Sequence, residues 1–424
     1  MEEPFTLHTQ LYADLLAKIK TRQAKIGVVG VGYVGSALVE GIVSAEFQTS
    51  GFDLDAKKLE AIEHPLFQGA AAAADLEGCD IICVCVPTPL DGAGKPDLVP
   101  LLSAVESVKD LRSSGKLIVI ESTVAPGTLR GVIEPLLSQA GWQVGVDLLL
   151  AISPERIDPG NKDFKIGNTP KVVGGMDEAS TQVAAEFYAS FVEKVVTVST
   201  PEAAEMAKIL ENTFRLVNIS LVNEMKDYAD SLGVDIWEVI DAAATKPYAF
   251  LPHYPGPGVG GHCIPVDPVY LLEDARKRSL NLNLVEAAVS INENQPKKVV
   301  AEAKKKLEGR RNGHTPRLLI VGLSYKPDTS DTRESASLKI WEEAEKEGFE
   351  VSYSDPYVPS QNGQSSVWLT PEVLKQQDVV VIATNHSSIQ YEMFLGLDVP
   401  IVDTRNSLRK YFQSQLIKLE EKIR

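Results

Sequence analysis

Cysteine is scarce in this chain, and the four present are not placed as a framework. Cys79, Cys83 and Cys85 gather around the apolar run DIICVCVP and leave Cys263 alone. That distribution excludes a disulfide scaffold. It also argues against zinc, because Cys83 and Cys85 fall on one face of a strand and no histidine or cysteine pair follows at finger spacing; no metal site is expected. No stretch approaches the ~18 consecutive apolar residues of a membrane span, and the N-terminal MEEPFTLHTQ is acidic with no apolar core region. A soluble, cytoplasmic protein with no membrane partner is expected. Basic charge is in deficit as well: 42 Lys and Arg stand against 58 Asp and Glu, for a net charge of −16. Such a surface repels phosphate backbones, which argues against nucleic acid and obliges any anionic ligand to find a local positive pocket.

What is present fits two or three soluble domains: 424 residues, of which 44% are hydrophobic. Residues 7–20 space Leu11, Leu15, Leu16 and Ile19 along one face of a short helix, read as a packing arm. KIGVVGVGYVG then runs from a β-branched strand straight into Gly30, Gly32 and Gly35, followed by the helical SALVEGIVSAEF and a second strand ending at Asp53. This order is that of a dinucleotide-binding unit. Gly30 makes the tight turn, Gly32 lets the backbone approach a pyrophosphate, and Gly35 lets helix and strand pack, with Tyr33 and Val34 opening the helix over the phosphates. Asp53 is placed to accept from both ribose hydroxyls and to repel a 2′-phosphate, which favours NAD over NADP. Asp55 suits the N-cap of DAKKLEAI better than Asp53 does.

Further strands, IICVCV, LIVIES, LLLAIS and KVVGG, each pass into polar turns. Strands alternating with helices imply a mostly parallel sheet with ligands outside the carboxyl ends, where Pro87, Thr88, Thr123 and Glu155 stand. From about 201 to 300 the strand signal gives way to long helical patterns, and Lys208 and Asn212 lie four apart on one helical face. After the charged run at 301–317, RLLIVGLSYKPDTSDTRES, VSYSDPY, VVVIAT and IVDTRN repeat the first domain's grammar without its third glycine. Lys326 and Arg405 fall at strand ends of this second crevice, where an anion can be held. The expected architecture is α/β: two Rossmann-like domains with parallel-rich sheets joined by a central helical layer. The expected boundaries are 1–200, with an arm at 1–24, then 201–300 and 301–424.

The stretch PGPGVGGHCIPVDP, residues 255–268, sets Cys263 among Gly256, Gly258, Gly260 and Gly261. Glycines there permit close ligand approach, so the thiol is read as lying against something bound. A nicotinamide domain supplies hydride transfer and a thiol supplies covalent capture of a carbonyl, so the combination points to oxidation beyond the aldehyde. Lys208 and Asn212 suit the oxyanion role, and Asp267 and Glu155 are candidates for proton transfer.

GVGYVG, VPTP, ESTVAPGT, SPERI, AKILENTFRLVNISLVNEM, GPGVGGHCIPVDP and GLSYKPDTSDTRES, in that order, resemble the UDP-glucose/GDP-mannose dehydrogenase family. The resemblance spans nearly the whole chain. It implies an NAD-dependent four-electron oxidation of a nucleotide sugar at C6, with Cys263 as nucleophile and Lys208 and Asn212 as the oxyanion pair. By the same likeness Thr123 and Glu155 handle water, Asp267 is the carboxylate beside the thiol, the last domain holds the nucleotide diphosphate, and the central helices make a homodimer or higher oligomer. Arg156, Tyr254, Gly256, Gly258, Gly260, His262, Lys326 and Arg405 complete the expected UDP-sugar contacts. Family members acting on UDP-glucose typically read GGxCLPKD, whereas this chain has His262 before the thiol and Val266 where a lysine usually stands. The loop is most similar to members acting on UDP-N-acetylhexosamines, above all UDP-N-acetylglucosamine, with the manno epimer and UDP-glucose as alternatives. His262 either replaces part of the missing charge or is a hydrogen-bonded scaffold piece. A two-electron dehydrogenase or a non-catalytic NAD-binding protein is the rival class, separated by the NADH formed per sugar.

Overall fold

The computed structural model describes residues 5–112, 115–157, 161, 163–310, 313–394 and 396–409; residues 1–4 of the expected arm and 410–424 of the expected last domain lie outside the described residues. The chain divides into two compact units, one running to Glu211 and including Val269–Leu280, the other comprising Asn212–Pro268 and the chain from Asn281 on.

The first unit carries α1 (Phe5–Lys20), β1 (Ile26–Val29), α2 (Tyr33–Ser44), β2 (Thr49–Phe52), α3 (Ala56–Glu60), β3 (Phe67–Gly69) and β4 (Ile81–Val84). There follow α4 (Val99–Val108), β5 (Lys116–Ile120), α5 (Glu134–Gln139), β6 (Leu148–Ile152), β7 (Lys171–Gly175), α6 (Glu178–Ala189) and β8 (Val195–Thr197). The strands form one eight-stranded sheet in the order β3-β2-β1-β4-β5-β6-β7-β8. Neighbours are parallel except β6 and β7, which run antiparallel with Ala151 opposite Gly175 and Ile152 opposite Gly174. Both faces are covered, which is why β1, β4, β5 and β6 are continuous apolar runs instead of alternating ones. Leu15, Leu38, Ile42, Phe47 and Phe187 pack one face; Leu76, Val105, Leu129, Ile133 and Trp142 pack the other. Cys83 and Cys85 are buried in the first of these clusters and Cys79 in the second, as small apolar side chains. The arm read from Leu11, Leu15, Leu16 and Ile19 is α1: Leu15 and Ile19 enter the core and the other two pack against it.

Helix α7 (Pro201–Leu232) passes from the first unit into the second. Then come α8 (Ile236–Ala244), α9 (Asp267–Lys277), α10 (Asn283–Lys306), β9 (Arg317–Val321), α11 (Ala336–Lys346) and β10 (Glu350–Ser354). The short hairpin β11 (Ser360–Gln361) and β12 (Gln364–Ser365), α12 (Pro371–Lys375), β13 (Val379–Ile382) and β14 (Ile401–Asp403) follow. Here a four-stranded parallel sheet has the order β10-β9-β13-β14. Its core, centred on Val299, Ile320, Ile340, Trp341, Tyr353 and Val381, is its own. Within this unit α7 is held to α10 by the Ser220 hydroxyl, which donates to the Ala288 carbonyl at 2.8 Å, and by the ion pair of Lys298 with Asp227. The two Rossmann-like halves and the helical layer agree with the sequence reading. Among the described residues no helix is long and apolar enough to cross a membrane.

Candidate active site

The turn after β1 shows three glycines needed for three reasons. Gly30 has φ +86°, a conformation L side chains avoid. A Cβ on Gly35 would stand 2.0 Å from the Gly30 carbonyl oxygen, so the helix could not sit on the strand. A Cβ on Gly32 would meet nothing within 4 Å, so the space over the N-cap of α2 is open. An open cradle at a helix N-terminus fits a pyrophosphate, so Gly30, Gly32, Tyr33, Val34 and Gly35 are the residues that would hold it. The Asp53 carboxylate accepts the Val31 N–H at 2.8 Å and the Asp55 N–H at 2.9 Å, and pairs with Lys58 at 3.1 Å. Burial alone would raise its pKa, but the backbone N–H groups and Lys58 hold it below the usual carboxylate range. Asp53 is therefore charged and oriented, with a lysine beside it that the sequence reading did not weigh. Asp55 caps α3, as expected, by accepting the Lys57 N–H.

At the carboxyl ends of β4 and β5 the Thr88 hydroxyl donates to the Thr123 carbonyl at 2.8 Å, fixing the two turns to each other. Pro87 lies in the same turn as Thr88. Glu155, past β6, is buried. One of its oxygens accepts the N–H groups of Arg156 and Ile157, both at 2.6 Å, and the other accepts Lys171 Nζ at 2.9 Å. Lys171 Nζ also lies 2.6 Å from Glu121, which accepts the Tyr188 hydroxyl. Burial acts against every charge in this group. For Glu155 the ammonium and the two N–H groups win and its pKa is lowered, whereas burial of Glu121 wins and its pKa is raised. Arg156, expected to contact substrate, is paired with Glu211 at 2.6 Å and donates to the Pro170 carbonyl at 2.7 Å.

The sequence reading passed over Glu121, Lys171, Tyr188 and Glu205. The signal available was charge at the end of an apolar strand, in LIVIES and KVVGG. Glu205 lies one helical turn before Lys208 on α7 and accepts the N–H groups of Gly127 and Leu129 at 2.5 and 2.8 Å, clamping the turn that follows Thr123. Its burial outweighs these two donors and pushes its pKa up to about 7. Lys208 is itself buried.

In the second unit Cys263 is exposed, in a turn whose Cys263 carbonyl accepts the N–H groups of Val266 and Asp267 at 3.1 and 2.8 Å. Helix α9 starts at Asp267, so the thiol stands just ahead of a helix N-terminus, an environment that favours negative charge. Asn212 and Asp267, both buried, meet directly: the Asn212 amide donates to Asp267 at 2.5 Å. The loop's glycines are crowded by the protein itself. A Cβ on Gly260 would stand 2.6 Å from the Glu334 carbonyl oxygen, and one on Gly256 would stand 2.9 Å from the Arg405 guanidinium. Gly258 has φ +114°. His262 packs edge-on against Tyr325 and lies 3.7 Å from Asp331; burial first, then the nearby Arg333, lower its pKa. The ring is thus packed into the loop between Tyr325 and Asp331. Val266 is buried. Tyr254 stacks on Trp237 and its hydroxyl donates to Asp241 at 2.8 Å.

The second crevice repeats the first with a different outcome. Gly322 has φ +85°, like Gly30, and Asp355 follows β10 as Asp53 follows β2. Asp355, however, is buried and saturated: it accepts N–H groups from Leu323, Ser324, Tyr357 and Val358 and meets His386 at 2.9 Å. Arg405 donates through Nε to the Ala383 carbonyl at 2.8 Å, and loss of solvation lowers its pKa to about 10, which leaves it cationic at neutral pH. The Lys326 ammonium lies over the Tyr325 ring, 5.7 Å from its centre.

An open cradle at a helix N-terminus with a charged carboxylate at the end of the adjacent strand marks the class of dinucleotide-binding proteins, and this chain also presents an exposed thiol. Comparison with known proteins narrows it. Descriptions of the UDP-glucose/GDP-mannose dehydrogenase family match residues 63–192 as its NAD binding domain, 202–294 as its central domain and 319–410 as its UDP binding domain. The UDP-N-acetyl-D-mannosamine dehydrogenase of Methanocaldococcus jannaschii is 32% identical over 416 residues, covering 91% of this chain and 93% of that one. The UDP-N-acetyl-D-glucosamine 6-dehydrogenase of Pseudomonas aeruginosa is 32% identical over 399 residues, covering 87% and 92%. The solved structure of a UDP-D-ManNAc dehydrogenase from Pyrococcus horikoshii superimposes with a TM-score of 0.82 at 32% identity, over 90% of this chain and 96% of that one. The chain belongs to the UDP-glucose/GDP-mannose dehydrogenase family. It is an oxidoreductase that uses NAD and acts on a UDP-sugar.

Asp53→Ala is expected to raise the NAD dissociation constant roughly tenfold to a hundredfold, the scale of a lost hydrogen bond to a charged group. Titration calorimetry with NAD checks this, and the KM for the sugar should stay within about threefold.

Proposed function

We propose that this protein oxidises the C6 hydroxymethyl group of a UDP-N-acetylhexosamine to a carboxylate through a thioester on Cys263. The observation that carries this reading is the exposed Cys263 in a turn leading into the N-terminus of α9, with the buried Asn212–Asp267 pair in the same compact unit. NAD supplies the hydride acceptor twice. In the first stage the hydroxymethyl loses a hydride and its hydroxyl proton, leaving an aldehyde. The Cys263 thiolate adds to the aldehyde carbon, and the resulting hemithioacetal loses a second hydride to become a thioester. Water then attacks the acyl carbon, the C–S bond breaks, the thiolate returns and the acid leaves. One alcohol, one water and two NAD give one carboxylate, two NADH and three protons.

The chain's own residues divide this work. Lys208 and Asn212, one turn apart on α7, donate to the oxygen as negative charge develops on it, with Asp267 orienting the Asn212 amide. Thr123 and Glu155 hold and activate the water, Glu155 as an ionised carboxylate. Gly30, Gly32, Asp53 and Thr88 hold NAD, and Arg405 and Lys326 hold the diphosphate. The reaction draws on NAD and a UDP-sugar, both cytoplasmic metabolites, which supports a cytoplasmic site of action.

The acetamido sugar is favoured by the GGHCIPVDP loop and by the names of both relatives. The gluco configuration has the P. aeruginosa relative in its favour, and the manno configuration has the M. jannaschii relative at the same identity. A site built to pair an acetamido group rejects the hydroxyl analogue, because buried polar groups are left unmatched. Each UDP-N-acetylhexosamine should therefore exceed UDP-glucose in kcat/KM when NADH formation is followed at equal low concentrations. Faster turnover of UDP-glucose overturns the acetamido assignment, and the faster of the two epimers fixes the configuration. Two NADH per sugar are expected; one per sugar would return the protein to the two-electron class.

Cys263→Ser should bind NAD as the unmodified protein does and lose essentially all turnover. Full activity in that variant removes the covalent route.

The protein is further proposed to work as a homodimer or higher oligomer through α7. Phe214, Leu221, Met225, Tyr228 and Leu232 recur at helical spacing and are between 41% and 60% exposed, an apolar stripe that a second copy would cover. Light scattering should show at least two chains per particle. Leu221→Glu combined with Tyr228→Glu should give a monomer, and an unchanged mass would rule this surface out.

A further inference from the structure

We propose that Lys171 is a positioning residue for the thioester-hydrolysis step: it fixes Glu155 toward the water, and Glu121 with Tyr188 sets how strongly it does so. This rests on the reading of Glu155 as the water-handling carboxylate. Strands β1 to β6 reach the crevice at their carboxyl ends, but β7 runs antiparallel to β6, with β8 parallel to it, and enters from the crevice side. Its first residue, Lys171, therefore lies level with the ends of β5 and β6, where Glu121 and Glu155 stand.

All four side chains are buried, and Lys171 is 1% exposed. Its ammonium donates to Glu121 at 2.6 Å and to Glu155 at 2.9 Å, and lies over the Tyr188 ring, 5.0 Å from its centre. Tyr188 donates its hydroxyl to the second Glu121 oxygen. Glu155 is thus held from one side by Lys171 and from the other by two backbone N–H groups. Lys171 and Glu121 are placed to act on the reaction only through Glu155. A quartet that merely stabilised the fold would not need its charge to be tuned; one that sets Glu155 must respond in opposite directions when the cation or the competing carboxylate is removed.

The sign follows from electrostatics. Lys171 favours the ionised form of Glu155 and Glu121 opposes it. In Glu121→Gln the ammonium is shared with one fewer carboxylate, so Glu155 stays ionised to lower pH and the acid limb of the kcat profile moves down. In the charge-balanced double variant Glu121→Gln/Lys171→Met the nearer charge is lost, so the limb moves up by about one pH unit. At neutral pH kcat should fall roughly tenfold to a hundredfold in the double variant, with both KM values within about threefold, because water activation and not binding is impaired. An acyl adduct on Cys263 should then accumulate and be seen by intact-protein mass spectrometry.

Three variants, assayed as full-length enzyme with NAD and the better UDP-N-acetylhexosamine, decide the matter. Glu155→Gln should abolish the acid limb and accumulate the adduct; if it turns over as the unmodified enzyme does, the role given to Glu155 is wrong. If Glu155→Gln is impaired and the other two variants keep the original limb, or shift it in the same direction, the positioning role of Lys171 is overturned. Should the double variant fail to fold, the downward shift in Glu121→Gln alone supports the proposal, and an unmoved limb there defeats it.

Discussion

The first unit depends on one constraint: two carboxylates, Glu121 and Glu155, are buried at the ends of neighbouring strands and must share a cation. Leaving a buried ion without its partner costs about 3–5 kcal/mol, a large part of a domain's net stability. The sheet meets this by reversing its last two strands, β7 and β8. Because β7 runs against its neighbour β6, its first residue faces the crevice, and that residue is Lys171. The direction of the outer strands and the setting of Glu155 are thus one solution to one electrostatic problem.

The glycine turn after a parallel strand is used twice, and the difference between the copies is chemical. Both Gly30 and Gly322 take positive φ, and in both an aspartate at the end of the adjacent strand accepts the N–H groups of the turn. Around Gly32 the space is open and Asp53 keeps a rim position, which suits a dinucleotide. Around Gly322 the aspartate is sunk against His386 and takes four backbone N–H groups, so no ribose can use it. The same fold is thereby freed for a different ligand, and Arg405 follows the last strand of this sheet, its Nε on the Ala383 carbonyl.

In the thiol loop, glycine serves the protein before it serves a ligand. Gly256 and Gly260 are required because Arg405 and the Glu334 carbonyl occupy the space of a side chain. The chain is pulled tight against residues 325–335, which fixes where Cys263 emerges. His262 belongs to that packing, held between Tyr325 and Asp331, and Val266 is buried beneath the turn.

The sequence by itself determined the element order, the parallel sheets, the glycine turn with Asp53, and the identity of the thiol loop. Each is a local pattern: apolar runs of strand length, glycines at fixed spacing, polar residues immediately after a strand. Sequence also placed Lys208 and Asn212 on one helical face, since that follows from helix geometry alone. Only the tertiary structure decided that Asn212 meets Asp267, that His262 packs against Tyr325, and that Arg156 is engaged by Glu211. It alone joined Lys171 to Glu121, Glu155 and Tyr188, residues 16 to 50 positions from the lysine along the chain in the two ion pairs. Their meeting depends on which way β7 runs, and strand direction is not written in any run of apolar residues; it is fixed by which neighbour the strand pairs with once the chain has folded.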